Sequence, residues 1–560
     1  MSYARNLARL ARTGIITVDT AQDLRDLAIY SGIRPDAVQT LGATTKNDGG
    51  GGQWYWDGTD TSADNLGTVI KEATTTTGRW KRQYSGVVNV KWFGASGDGV
   101  SDDTANLNNA FQSGSVFIPE GTYSVNSPLT VSGSIRNFVG DGCHREIDLS
   151  FTGSVIKAPG QITGPMLTFE TPSPGDFILG TRLFDFGIIA NSDTSVILLK
   201  DCSKVTLDTV YVRGSRDYPV GIDLTEGSFF VTFNKVNVIN FSQIGILVRG
   251  IGSQHVFRDC VVESSDLAGT VTSPEVGLEI RQHDFIVDGG QYNINSDTGI
   301  GILVTNDSSE TPLSSGEIRR TIHEYGNAIK IDTQAGAQVT KNIIIREPHI
   351  TNIVKGVIFG NCAFCHLIDP QPTASSGTLI LAEWEAESDS CLVRGNYNVG
   401  RSNFIVDPAA RNAVLHVTGR IAYGDRSNLF TDTNLTTIVD DVDQVGPCRH
   451  NGTAWNIYYE FIVTEAFAVL DIPYLGGIVQ IAARVRGTVM SGTFSYRADT
   501  NQIVPLSVGT EVETLDNTQL TGTTGTAGKV TVSLFGGQLY IENRYYNDSF
   551  TVEFFGRNTY

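Results

Sequence analysis

From residue 200 to 360, apolar and polar positions recur in pairs of short strands. Six segments begin VTLD at 205, VTFN at 231, HVFR at 255, FIVD at 285, GEIR at 316 and NIIIR at 342. Their polar ends, Asp208, Asn234, Arg258, Asp288, Arg319 and Arg346, recur every 24 to 31 residues. Each segment holds a second strand that opens on a small residue: GIDL at 221, GILV at 245, GLEI at 277, GILV at 301, AIKI at 328 and GVIF at 356. Strand alternation turns Ile222, Ile246, Leu278, Ile302, Ile329 and Val357 to one face, together with Leu224, Val248, Ile280, Val304, Ile331 and Phe359. One coil cannot bury such a face alone, so the repeat predicts stacked coils and a long solenoid.

The pattern changes on both sides. SYARNLARLAR at 2–12 has the spacing of a short amphipathic helix, and GGGGQWYW at 49–56 reads as a loop feeding an aromatic strand. A small β-rich region over 1–86 follows. After residue 400 the repeat fades through TDTNLTTIVDDVDQVGP. Longer alternating strands then appear, among them WNIYYEFIV, GGIVQIAARV, KVTVSLF and QLYIENRYY, with TGTTGTAG as a loop. They predict a C-terminal antiparallel β-sandwich over 426–560. The coils between, 87–425, complete an all-β chain.

Two runs at the start of the coils are more specific. FGASGDGVSDDT at 93–104, followed by a short helix and VFIPEGTY at 116–123, resembles the opening of the pectate-lyase-like right-handed parallel β-helix found in bacteriophage tailspikes. GGGGQWYWDGTD, with TVIK and GRWKR after it, resembles the segment joining such spikes to their particle-binding head. The resemblance implies a homotrimeric spike of the virion tail that recognises, and usually depolymerises, a bacterial capsule or O-antigen. It also implies that the N-terminal region attaches to the phage tail or another tail protein, and that the C-terminal module trimerises the shaft or binds sugar. Apolar residues in outward columns, Ile239, Leu247, Leu303 and Ile358, are expected to be covered by the other copies.

Composition narrows the partners. Lys+Arg 41 against Asp+Glu 60 gives a net charge of −19, with no basic excess to displace phosphate counterions, so nucleic acid is not expected. No window is long and apolar enough for a membrane helix, and MSYARNLARLARTG lacks the apolar core of a secretion signal. Seven scattered cysteines fit folding in a reducing compartment. Cys362 and Cys365 form a lone CxxC with no second pair or histidine at finger spacing, so buried thiols are expected rather than zinc, and no metal or cofactor is called for.

Stacked strands line up outward side chains ~4.8 Å apart, so chemistry must be sought in columns. Five residues past each polar end lie Arg213, Ile239, Glu263, Asn293, Glu324 and Thr351. Glu263 and Glu324 are then two rungs, ~9.6 Å, apart at the backbone, and flexible carboxylates can meet the ~6.5–9.5 Å separation of inverting glycosidases. Asn293 between them is a candidate sugar-binding amide, with Asp266 and Asp297 as alternative carboxylates and Tyr325 as a stacking surface. In the fifth coil a one-residue slip would turn His323 outward, making it a candidate acid or base. Arg249 and Arg281 share one column, and Arg258 and Arg319 another. They are candidates for holding uronate carboxylates, which keeps a lyase reading open. A spike that binds without cleaving is the alternative from another class.

Overall fold

The computed structural model describes residues 15–27, 34–134, 136–146, 150–171, 173, 175–214, 219–264 and 276–351. It also describes 353–373, 379–396, 402–407, 410–411, 413–418, 435–440 and, with short breaks, 466–556. The expected helix at 2–12 and the strand WNIYYEFIV lie outside the described residues. Two compact units, 1–357 and 358–560, make up the chain.

The first unit begins with a five-stranded sheet, ordered Ile16–Val18, Ala37–Thr40, Gly52–Asp57, Arg79–Arg82, Val69–Ile70. Its core is Trp54, Trp80, Val38, Ile70 and Leu24. Arg82 is wedged into it, donating to the carbonyls of Gly67 (2.6 Å), Gly51 (2.8 Å) and Gly50 (2.8 Å), with its guanidinium 4.4 Å from the Trp54 ring centre. Gly52 leaves room for this fit, because a Cβ there would lie 2.0 Å from Arg82 Nη1. Burial brings the guanidinium down to about 10.

The helix Thr104–Ser113 then buries Leu107, Ala110 and Phe111 over the first coil, with the Phe111 ring edge-on to Phe138 at 5.1 Å. A solenoid without a cap would leave that end apolar. Beyond it three parallel sheets wind together. Sheet I includes Asn237–Ile239, Val261–Ser264, Gln291–Ile294, Ile322–His323 and His349–Thr351. Sheet II includes Val220–Thr225, Ile244–Val248, Val276–Ile280, Ile300–Asn306 and Asn327–Thr333. Sheet III includes Thr206–Asp208, Thr232–Asn234, Gly252–Arg258, His283–Asp288, Ser314–Arg319 and Thr340–Arg346. The six polar ends are in register partners along sheet III, as the repeat predicts.

Directly after each polar end the chain turns from sheet III to sheet I through one left-handed residue: Thr209 (φ 52°), Lys235 (50°), Asp259 (49°), Gly289 (71°), Arg320 (55°) and Glu347 (49°). Only one is glycine, although the conformation costs other residues ~1–2 kcal/mol. At five of these positions, all but Glu347, the ladder that offsets this continues through the corner. The corner N–H still donates to the next coil, as from Lys235 to Arg258 O at 2.8 Å and from Asp259 to Asp288 O at 3.0 Å. The small residues that open the sheet II strands have a separate cause. A Cβ on Gly277 would lie 2.5 Å from the Gly301 carbonyl of the next coil.

The interior is apolar with a few committed polar groups. Phe233 and Phe257 stack at 4.8 Å, and His255 Nε2 contacts Gln282 Oε1, whose Nε2 donates to Arg249 O at 2.6 Å. His323 is fully buried, with Nε2 3.0 Å from Thr321 Oγ1 and its ring stacked on Tyr292 at 6.1 Å.

The second unit has its own parallel strands. His366–Ile368, Leu392–Asn396, Ala413–Thr418 and Leu435–Asp440 pair in sequence. Parallel pairing therefore runs on to residue 440, past the boundary expected at 425, because the TTIVD stretch taken for the fading of the repeat is itself a ladder strand. Two four-stranded sheets follow. One holds Ala466–Asp471, Gln538–Asn543, Val530–Phe535 and Val512–Asp516, and the other Gln502–Val508, Thr488–Arg497, Gly476–Val485 and Phe550–Gly556. All their pairs are antiparallel except that of Val512–Asp516 with Val530–Phe535.

Two outcomes follow from this packing. Gly277→Ala must push adjacent coils apart and is expected to cost ~1–3 kcal/mol, lowering the melting temperature, while Gly160→Ala, with nothing within 4 Å, stays within ~0.5 kcal/mol. Equal melting of the two variants would reject the close-approach argument. Burial also lowers His255 from 6.5 to about 4 and His323 from 6.5 to about 3, so both are neutral in the fold. Below pH 6.5 the unfolded chain takes up protons that the native state refuses. Their stabilising contribution is complete above 6.5 and falls towards pH 4 by ~1.4 kcal/mol per pH unit for each histidine. Denaturant titrations at pH 7 and 5 should give a shallower loss for His255→Asn than for the parent chain.

Candidate functional site

On the outer side of sheet I, Arg213, Ile239, Glu263 and Asn293 are successive register partners, so the column counted from the sequence is physically continuous. Gln291 pairs with Ile322, which sets Glu324 beside Asn293 on the next coil. Alternation sends Glu263 and Glu324 outward, and both are half-buried. Glu324 is clamped by neutral amides: its Oε2 accepts from Gln291 Nε2 and Asn293 Nδ2, each at 3.1 Å, and its N–H donates to Asn293 Oδ1 at 3.0 Å. Asn293, 6% exposed, is thereby committed to orienting Glu324 rather than free to meet a sugar.

Glu263 has a different partner. Cys143–Arg145 pairs antiparallel with Phe151–Gly153 as a hairpin against sheet I, and the strand then continues to Ile162 as a parallel member of that sheet between Gly121–Ser124 and Gly187–Ser192. Phe151 and Val155 pack on Ile239, and the Phe151 ring meets Tyr211 edge-on at 5.7 Å. This strap places Arg145, whose Nη1 donates to Glu263 Oε2 at 2.8 Å. It also explains why Ile239 is fully buried within one chain. Leu247 and Ile358, at 6% and 5% exposure, and half-buried Leu303 are likewise not open apolar spots, which removes the packing reason given for their cover by other copies.

His323 points into the coil. The one-residue slip does not occur, because Ile322 pairs with His349 and His323 with Ile350, and a fully buried ring cannot meet a polysaccharide. Asp297 is exposed on the loop after Gln291–Ile294, and Tyr325 is 47% exposed next to Glu324. Asp266 lies outside the described residues.

Most of the arginines are taken. Arg249 grips Asp223 through Nε (3.0 Å) and Nη2 (2.8 Å), and Arg281 bridges Glu279 (2.6 Å) and Asp307 (3.1 Å). Arg319 meets Asp288 at 2.9 Å, and Asp288 also accepts from Arg320. Arg258 differs: it is exposed, in register between Asn234 and Asp288, and makes no ion pair among the described residues. The arrangement that can act on a ligand is therefore Glu263 with Arg145, Glu324 with its amides, Tyr325 and Arg258.

Gln291 was legible, since it lies two residues before Asn293 on the same face. Arg145 was not, because the hairpin interrupts the coil and shares no period with it. Among the described residues, the group able to hold a metal, Cys362, Cys365 and Cys391, is in the second unit, away from this column in sequence.

Comparisons with known proteins bear on the fold. Residues 17–85 match the family model of the phage tail protein small four-stranded beta-sheet domain, and residues 87–306 that of rhamnogalacturonase A/epimerase, pectate lyase-like. No curated protein matches. Among solved structures, full-length tailspike protein 2 from an Escherichia coli O157:H7 bacteriophage is 14% identical, with a TM-score of 0.51 over 99% of this chain and 80% of that one. Tailspike protein gp49 from an Acinetobacter baumannii bacteriophage, a capsular polysaccharide depolymerase, is 12% identical, with a TM-score of 0.39 over 97% and 98%. The A-module of a mannuronan C-5 epimerase from Azotobacter vinelandii is 17% identical, with a TM-score of 0.40 over 64% and 98%. The chain thus carries, one after the other, a stretch similar to the phage tail protein small four-stranded beta-sheet domain and a stretch similar to the pectate-lyase-like rhamnogalacturonase A/epimerase family.

Proposed function

We propose that the protein is a bacteriophage tailspike that binds and depolymerises a bacterial surface polysaccharide, capsule or O-antigen, by hydrolysis with Glu263 and Glu324. The observation that carries this reading is the pair of outward carboxylates two coils apart on one column, each held by its own partners. At ~4.8 Å per rung their backbones are ~9.6 Å apart, which leaves room for a water and a glycosidic oxygen between the carboxyl groups. The ion-paired Glu263 suits the base that activates water. Glu324, held only by neutral amides, suits the acid that protonates the leaving oxygen. Tyr325 offers a stacking face, and Arg258 offers a cation for an acidic sugar. In a chain of net charge −19 such a cation is needed if the polymer is anionic.

The spike acts as a homotrimer in the virion tail, with residues 1–86 as its attachment to the particle. Exposed Leu179, Phe230 and Ile251 on the first unit give further copies an apolar surface to cover. No helix among the described residues is long and apolar enough to cross a membrane.

The test is to incubate the protein with capsules from a host panel and weigh the products. A gain of one water per cut supports hydrolysis, an unsaturated uronate indicates β-elimination, and tight binding of intact polymer indicates a spike that only binds. Glu263→Gln and Glu324→Gln should each lower turnover ~10²-fold or more with binding and melting retained. Arg145→Ala should lower turnover less, since the carboxylate remains. Because His323 is buried, His323→Ala should act on melting temperature, not on the pH profile of cleavage. Full turnover in both glutamine variants would remove this column from catalysis and turn attention to Asp297 and Asp266.

A further inference from the structure

The second unit buries three thiols together. Cys362 and Cys365 lie on one coil and Cys391 on the next, where Asp389 N donates to Cys362 O and Leu392 N to Cys365 O, both at 2.9 Å. All three residues are fully buried, and their sulfur atoms lie within 4.8 Å of one another, with Cys362 and Cys391 3.7 Å apart. Trp384, fully buried with its ring 5.6 Å from that of buried Phe359, donates Nε1 to Cys391 O at 3.1 Å.

Isolated cysteines in this protein show what packing alone requires. Cys202 and Cys260 each follow a left-handed corner residue and aim Sγ at the carbonyl two residues back, Lys200 at 3.4 Å and Arg258 at 3.5 Å. Cys365 and Cys391 occupy the same position after Phe364 and Ser390, aiming at Ala363 and Asp389, both at 3.4 Å. A thiol after a left-handed residue is thus accommodated by the carbonyl before it and needs no second thiol. Cys362 follows no left-handed corner residue, yet its sulfur completes a cluster with the other two.

Four thiolates around zinc at ~2.3 Å stand ~3.8 Å apart, so the Cys362–Cys391 separation already has the spacing of two ligands on one ion. The set found among the described residues is all sulfur, which selects a thiophilic d¹⁰ cation over calcium or magnesium. We infer that Cys362, Cys365 and Cys391 form a structural site for one thiophilic metal ion, for which Zn²⁺ is the probe. The lone CxxC lacked a partner in the sequence, and the neighbouring coil supplies it. Binding replaces S–H bonds by sulfur–metal bonds and releases the thiol protons to water, with no electron transferred, so uptake weakens as pH falls. Since the pocket is closed to solvent, the ion enters as the coils form, and its binding stabilises the folded state.

The test uses the full chain and does not depend on the depolymerase reading. Protein purified without chelator is assayed for metal by mass spectrometry, then unfolded with a chelator and refolded with and without Zn²⁺. The expected results are one zinc ion per chain and a higher melting temperature after refolding with zinc. Cys391→Ser should lose both, whereas Cys260→Ser should keep both. Absence of zinc together with identical melting in the two refolded samples of the parent chain overturns the site, even if Cys391→Ser fails to fold. A Cys362–Cys391 disulfide found by peptide mapping under non-reducing conditions overturns it as well.

Discussion

The backbone ladder that runs through the corners between sheets III and I from Thr209 to Arg320 is the constraint on which the rest depends. A parallel solenoid places equivalent residues in columns only if no coil slips, and slippage is most probable where the chain turns. Here the turn is a single left-handed residue whose N–H still donates to the next coil, from Thr209 to Asn234 O and from Arg320 to Arg346 O, both at 2.9 Å. Register is therefore carried through the bend, and the backbone strain of each of these corners is balanced by a hydrogen bond that a looser turn would lose. The glycine column of sheet II makes the complementary contribution by letting coils approach until one backbone nearly touches the next.

With register fixed, polar groups divide by face. Those turned inward are committed to the fold: His255 and Gln282 to each other and to the chain, and the corner thiols to the carbonyls before them. Burial in an apolar interior favours uncharged forms, which is why Cys260 is pushed up to about 12 while the histidines are pushed down. Those turned outward on sheets II and III mostly neutralise one another, as Arg249 does Asp223. Charge on these faces is structural pairing more than spare binding capacity. Sheet I differs because the strap at 143–153 adds a cation from outside the repeat, giving Glu263 a partner that its own column lacks.

The repeat made the fold, the sheet III column and the pairing of Glu263 with Asn293 readable before any coordinates, because strand alternation has a period of two and stacked coils repeat side chains at one height. The segments VTLD to NIIIR align as counted. It did not show that Asn293 and most of the arginines would be consumed by neighbours, since which of two adjacent charges turns toward the other depends on rotamers. The parallel strand at 435–440 was missed for another reason: a coil without the glycine opening leaves no mark of its register.

By itself, the sequence determined the all-β solenoid, the N-terminal aromatic sheet and the outward column that bears two carboxylates, because these follow from local periodicity repeated many times. Only the tertiary structure decided that His323 faces inward, that Arg145 reaches Glu263 across 118 residues of chain, and that Cys391 joins the CxxC. Each of these is a contact between segments whose spacing carries no period. Folding brings them together through the height of a coil and the path of an inserted hairpin, quantities that appear only once the coils are stacked.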